Sequence, residues 1–332
     1  FAIADAVARA NPTDAEALHL SALALSRMGE WDRAAAAFEA AATLHPRREL
    51  ILVNLGNHWR RAGRLIEAAD AYERAARAAP NAAEAHAALG SVRATLDDNR
   101  GASSAFEAAL RIDPRNAAAL VGMGNLAVAR GRHEEAVELF SRALDAAPGS
   151  VAALVNRGAA LRRLGRLDAS LADLDRASAR APSMPEAQFQ RAAALRTMAR
   201  FDEAAVSYRA ALALAPMRSD IHREYAAMMF EAGREGEAFG VLDAAIGARS
   251  SSDLLTARGE LSLLFGDVAG ALAAADRALA LKPDDPSALG LAANAARQTG
   301  DMGRALEAAR RASSLAPRDF GLLHLCCEVE LA

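Results

Sequence analysis

Cysteine, lysine and aromatic side chains are all scarce in this chain, and each scarcity removes a class of explanation. The only cysteines are the neighbours Cys326 and Cys327. Adjacent thiols have neither the CxxC spacing of a redox or zinc motif nor the number a disulfide framework needs, so a reducing, cytoplasmic setting is expected. Lys282 is the one lysine, so 38 of the 39 basic residues are arginine. With the abundant alanine, that points to a GC-rich bacterial genome. Against 42 acidic residues the formal net charge is −3, too little positive charge to hold nucleic acid or an anionic membrane surface. No apolar run approaches the roughly 18 residues of a membrane span, and no charged-then-apolar leader opens the chain. The start at Phe1 predicts a trimmed or partial chain.

Catalytic signatures are missing too. The string VGMGNLA (121–127) has dinucleotide-loop spacing, but it falls within a helical pattern with no strand before it, so a packing role is expected. Seven histidines (19, 45, 58, 86, 133, 222, 324) include no HxxxH pair and no HxD, which excludes a zinc helix and a two-histidine iron site. No GxSxG elbow, Walker loop or cysteine–histidine pair is present. Carboxylate pairs such as Glu134–Glu135 and Asp284–Asp285 fall at turns and helix starts, where they favour the helix dipole. No enzyme and no cofactor are expected in this chain.

What the chain does have is a period. Prolines fall at 12, 46, 80, 114, 148, 182 and 216, each 34 residues after the last, and again at 283 and 317. The interval from Pro216 to Pro283 is 67, one residue short of two periods. At 332 residues with 52 % apolar content and 5 % aromatic content, such a repeat predicts stacked helical hairpins rather than one compact core. With the proline as position 32 of each unit, Leu52, Leu55, Gly56 and Trp59 take positions 4, 7, 8 and 11, and Ala68, Tyr72, Ala75 and Pro80 take 20, 24, 27 and 32. Gly56, Gly90, Gly124, Gly158 and Gly259 recur at position 8, small residues recur at 20, and Phe38, Tyr72, Phe106, Phe140 and Tyr208 hold 24. Small residues where two helices cross let an aromatic ring fill the space between them. Gly29, Gly63, Gly131, Gly165, Gly233, Gly266 and Gly300 fall between the two helices, where a left-handed residue stops the first.

These residues resemble the tetratricopeptide repeat, W-x2-L-G-x2-Y…A-x3-F…P. The resemblance implies an all-α, right-handed superhelical solenoid of helix-turn-helix units acting in protein–protein interaction. The expected array runs over 1–332. A half repeat (helix B) at 1–14 precedes full repeats at 15–48, 49–82, 83–116, 117–150, 151–184, 185–218, 219–251, 252–285 and 286–319, and a half repeat (helix A) at 320–332 follows. Both ends stop in mid-array. The closing FGLLHLCCEVELA is mostly apolar, which predicts a face covered by further sequence or by a second copy of the chain.

In this family, positions 2, 5, 9, 12 and 13 of helix A line a concave groove. That places Arg60, Arg61, Arg162, Arg163 and Arg196 at positions 12 and 13, Val53, Val121, Val155 and Phe189 at 5, and Asn57 and Asn125 at 9, with Asn54 and Asn156 at 6. Amides that pair with an extended backbone and guanidinium forks that grip carboxylates suit a peptide carrying acidic residues. The carboxylate clamp of chaperone-binding repeats does not carry over. Asn125 and Asn156 reproduce its asparagine pair, but Val121, Glu186 and Gln190 replace its charged members. The asparagine ladder of O-GlcNAc-transferase arms is interrupted by Ala88, Gly122 and Ala257. The stretch SDIHREYAAMMFEAGREGEAFGVLDAAI (219–246) resembles the last repeats of bacterial arms that precede a 2-oxoglutarate/Fe(II) oxygenase-type domain. Three functions are therefore expected to compete: a peptide-binding scaffold, the recruiting arm of a larger enzyme, and a homo-oligomerisation scaffold joined through its apolar end helices.

Overall fold

Local capping sets the helix boundaries. Asp14 accepts the backbone N–H groups of Glu16 and Ala17 at 3.0 and 3.1 Å and so starts the first helix. Asp98, Asn116, Ser150, Ser251, Asp267 and Asp301 each do the same for a later one. In this computed structural model the described residues are 13–331. Of the half repeat expected at 1–14, residues 1–12 therefore lie outside them.

The backbone packs as two units, one ending at Arg180 and one beginning at Ala181. The first holds α1 (Ala15–Met28), α2 (Trp31–Leu44), α3 (Arg48–Arg61), α4 (Leu65–Ala78), α5 (Ala83–Thr95), α6 (Asn99–Ile112), α7 (Ala117–Ala129), α8 (His133–Ala146), α9 (Val151–Arg163) and α10 (Leu167–Arg180). The second holds α11 (Pro185–Thr197), α12 (Phe201–Leu214), α13 (Ser219–Glu231), α14 (Glu235–Ala248), α15 (Ser252–Leu264), α16 (Val268–Leu281), α17 (Pro286–Thr299), α18 (Met302–Leu315) and α19 (Phe320–Leu331). No strand occurs among the described residues. Odd-numbered helices are the first of each hairpin and even-numbered helices the second. Within a unit, each second helix packs on its own partner and on the first helix of the next hairpin.

Every positive φ among the described residues falls at position 15 of a repeat, the link between the two helices. Seven are glycines with φ between 70° and 82°. The other two are Asp97 (φ 60°) and Ala199 (φ 56°). The hairpin thus imposes a left-handed residue even where the sequence supplies a side chain. Aspartate tolerates that region, whereas alanine there costs about 1–2 kcal/mol. Ala199→Gly is accordingly expected to stabilise the second unit by about 0.5–1 kcal/mol, the relieved strain less the extra entropy of an unfolded glycine. Urea denaturation measures this, and a lower midpoint in the variant would contradict the strain at this site.

The core is written by the crossing positions. An ideal Cβ placed on Gly56, Gly90 or Gly124 would sit 2.5, 2.6 or 2.5 Å from the ring of Tyr72, Phe106 or Phe140. These three rings are at most 1 % exposed. The VGMGNLA string lies inside α7, where Gly124 and Gly122 make room for rings instead of phosphate. His58 is buried. Its Nε2 donates to the Trp31 carbonyl and its Nδ1 accepts from Ser26 Oγ, both at 2.8 Å, and burial pushes its pKa down. His86 and His222 are half-buried, each donating to the carbonyl of the proline six residues earlier, Pro80 at 3.1 Å and Pro216 at 3.0 Å. At the far end, α19 lays Leu325 and Val329 into the second unit while Phe320 stays 84 % exposed.

Candidate functional site

In the first unit α3, α5 and α7 are the first helices of successive hairpins, and one cavity of about 300 Å³ spans them. It brings together four residues expected from the sequence: Asn57, Arg60, Val121 and Asn125. Its floor is Tyr72 and Phe106, with Ala87, Ala88, Ser91 and Gly122 on the walls. Small residues on α5 and α7 open the space, and rings from the second helices close it underneath.

The two asparagines are held by internal hydrogen bonds of the same sense. Tyr72 donates its hydroxyl to Asn57 Oδ1 at 2.8 Å. Asn156 Nδ2 donates to Asn125 Oδ1 at 2.8 Å. Each bond fixes which end of its amide is the oxygen, and the side-chain NH2 of Asn57 and of Asn125 makes no hydrogen bond with a described residue. Burial pushes the Tyr72 hydroxyl pKa up, with Arg60 partly opposing it, so the phenol remains a donor near neutral pH. Arg60 is exposed at the cavity edge and makes no ion pair with a described residue.

The remaining expected residues of this unit lie elsewhere. Asn54 Nδ2 donates to His19 Nε2 at 2.8 Å, outside the cavity. Val53 is half-buried against two apolar clusters. Arg61 is exposed and reaches Ser26 Oγ at 3.4 Å. Arg163 is exposed and Arg162 half-buried. Val155 departs from expectation: it is only 3 % exposed, because α9 packs on both α7 and α8, and it offers no surface to a partner.

In the second unit, Phe189 packs 6.2 Å from the Tyr208 ring, and the Arg218 guanidinium lies over the Phe189 ring at 5.2 Å from its centroid. Arg196 also departs from expectation. Its Nε donates to Glu231 at 2.7 Å, its Nη1 to Glu224 at 2.6 Å, and its Nη2 to the second Glu231 oxygen. The guanidinium in turn holds the Glu231 carboxyl below the usual range. A fork already closed on two glutamates of the next hairpin is not open to a partner's carboxylate.

Several site residues escaped the sequence reading. Ser91 shares position 9 with Asn57 and Asn125, so the register already placed it in the same row. Gly122 was an interruption in a ladder by sequence, yet its missing Cβ is what admits the Phe106 ring, 2.2 Å from where that atom would be. Among the described residues, no group of three or more His, Cys, Asp or Glu is placed to hold a metal ion.

The tetratricopeptide repeat profile matches residues 19–83, 87–151, 121–185, 189–253 and 257–319, most of the chain. The chain belongs to the tetratricopeptide repeat family. Solved tetratricopeptide structures share its fold. One from Parabacteroides merdae is 18 % identical with a TM-score of 0.56, over 74 % of this chain and 97 % of its own. PilW, a type IV pilus biogenesis factor, is 22 % identical with a TM-score of 0.57, over 63 % of this chain and 97 % of its own. No curated protein matches in sequence. Tetratricopeptide arrays are protein-interaction scaffolds, and in that general sense so is this chain. Among the described residues, no helix is long and apolar enough to cross a membrane.

Proposed function

We propose that this tetratricopeptide chain binds an extended, carboxylate-bearing segment of a partner protein across α3, α5 and α7. The observation that carries the reading is the shared orientation of Asn57 and Asn125. Both have their carbonyl bonded to an internal donor, and both line one cavity. A segment lying across the helices presents backbone carbonyls to their side-chain NH2 groups. Its apolar side chains meet Val121 and Ala118, and its carboxylate meets Arg60. Donors fixed in advance lower the ordering cost of binding.

A capped peptide of alternating leucine and aspartate is the probe, titrated by calorimetry. Loss of one amide–carbonyl bond in Asn125→Ala is expected to weaken binding about fivefold. Reversing the charge in Arg60→Glu is expected to weaken it about tenfold or more. Equal affinity of wild type and both variants, or no binding by wild type, would sink the reading.

A further inference from the structure

The second unit carries a different pair of cavities on the corresponding first helices. One, of about 320 Å³, lies between α13 and α15, with Phe230, Leu242, Leu261 and Leu264 on its walls. Leu242 and Leu261 are buried in its floor, while Leu264 stands 67 % exposed at its mouth. Phe230 meets the Phe265 ring edge-on at 5.4 Å. The other cavity, of about 370 Å³, lies on α15, α17 and the start of α19 and is bordered by Ser287, Asn294 and Asp319.

Glu260 borders both. Arg196 neutralises Glu231, which also lines the first cavity. Glu260 has no such partner: it makes no hydrogen bond or ion pair with a described residue. Water reaches this carboxylate from the open side, yet the surrounding walls desolvate it and push its pKa up, with Arg223 pulling in the other direction. Arg223, on α13, also lines the apolar cavity and is equally without an ion pair among the described residues. Asp319 caps α19 through one oxygen, Oδ1, which accepts from Gly321 and Leu322.

We propose that the second unit is a docking site for a short partner segment in which a bulky apolar side chain is followed by a lysine or arginine. The apolar side chain enters the cavity beside Phe230 and Leu264, and the basic side chain lies between Glu260 and Asp319. Charge decides which side the basic side chain takes. Arg223 repels a basic residue on the α13 side, whereas Glu260 and Asp319 attract one on the α17 side. A carboxylate that borders both cavities and makes no hydrogen bond or ion pair of its own is available to pair with an incoming cation. This site rests on the interaction-scaffold reading but not on the asparagine cavity, and its charge preference is the opposite.

The test titrates the whole chain against four fluorescein-labelled, capped peptides in which leucine precedes lysine with zero to three glycines between them. Binding is read by fluorescence anisotropy. At least one spacing is expected to saturate. For that peptide, leucine to alanine and lysine to glutamate changes are each expected to weaken binding about tenfold. Glu260→Gln preserves shape and is expected to weaken the lysine peptide about tenfold while leaving its glutamate version no weaker. Asn125→Ala, in the first unit, is expected to leave all four titrations unchanged, so failure of the asparagine cavity and failure of this site are separable. No saturation by any of the four, or unchanged lysine-peptide affinity in Glu260→Gln, overturns the proposal.

Discussion

Truncating Phe106 to alanine is expected to lower the unfolding free energy by about 3–5 kcal/mol, the range for removing a buried aromatic ring from a core that cannot close. The ring is 1 % exposed. It is wedged between Gly90 on α5 and Gly122 on α7, whose missing Cβ atoms would lie 2.6 and 2.2 Å from it. Glycines have no side chain to swing into the void, so collapse needs movement of two helix backbones. The loss also falls on two adjacent hairpins at once. In a stacked array, stability is the sum of each unit and its interfaces with neighbours, so the urea transition is expected to broaden or split as well as shift. Circular dichroism follows the transition, and hydrogen exchange should show the lost protection in α5 to α7. A destabilisation under about 1 kcal/mol would mean that the ring is not the wedge described.

Asp173→Ala is expected to cost about 3–5 kcal/mol, because it strands a half-buried guanidinium. Arg157 Nε and Nη2 donate to the two Asp173 oxygens at 2.7 and 2.8 Å, and Nη1 donates to Ser141 Oγ at 2.9 Å. The Asp173 side chain is 5 % exposed and that of Arg157 21 %. The pair joins α9 to α10 at positions 7 and 23, which in the third repeat hold Leu89 and Ala105. The double variant Arg157→Leu with Asp173→Ala therefore rebuilds an apolar seam that this chain already uses. It is expected to recover most of the lost stability, since exchanging a buried ion pair for packed apolar groups is often neutral. A double variant no more stable than Asp173→Ala alone would contradict this account.

The outcome at Arg196 and Val155 shows how a groove position read from register can mislead. Position 12 places Arg196 on the expected side of its helix, but Glu231, 35 residues later, closes the guanidinium. Val121 and Val155 share position 5, yet the first is half-buried beside the cavity and the second is buried. What differs is the packing around each helix, which one-dimensional register does not contain.

The repeat itself was legible because its causes are local. A left-handed residue is needed wherever one helix turns back on another, and Ala199 and Asp97 take that conformation at the same position where seven other repeats use glycine. Small residues at position 8 and rings at position 24 are 16 apart within a single hairpin, so the sequence alone determined the hairpins, their spacing and the rings at their crossings. Only the tertiary structure decided which polar groups remain free. Asn57 and Asn125 are oriented by the bonds that their carbonyls accept from Tyr72 and Asn156, Arg196 loses its freedom to Glu224 and Glu231, and Glu260 keeps its own because no described side chain forms a hydrogen bond or ion pair with it. Such choices depend on side chains meeting across helices at distances of a few ångströms, and a period of 34 residues fixes which helices meet without fixing which atoms do.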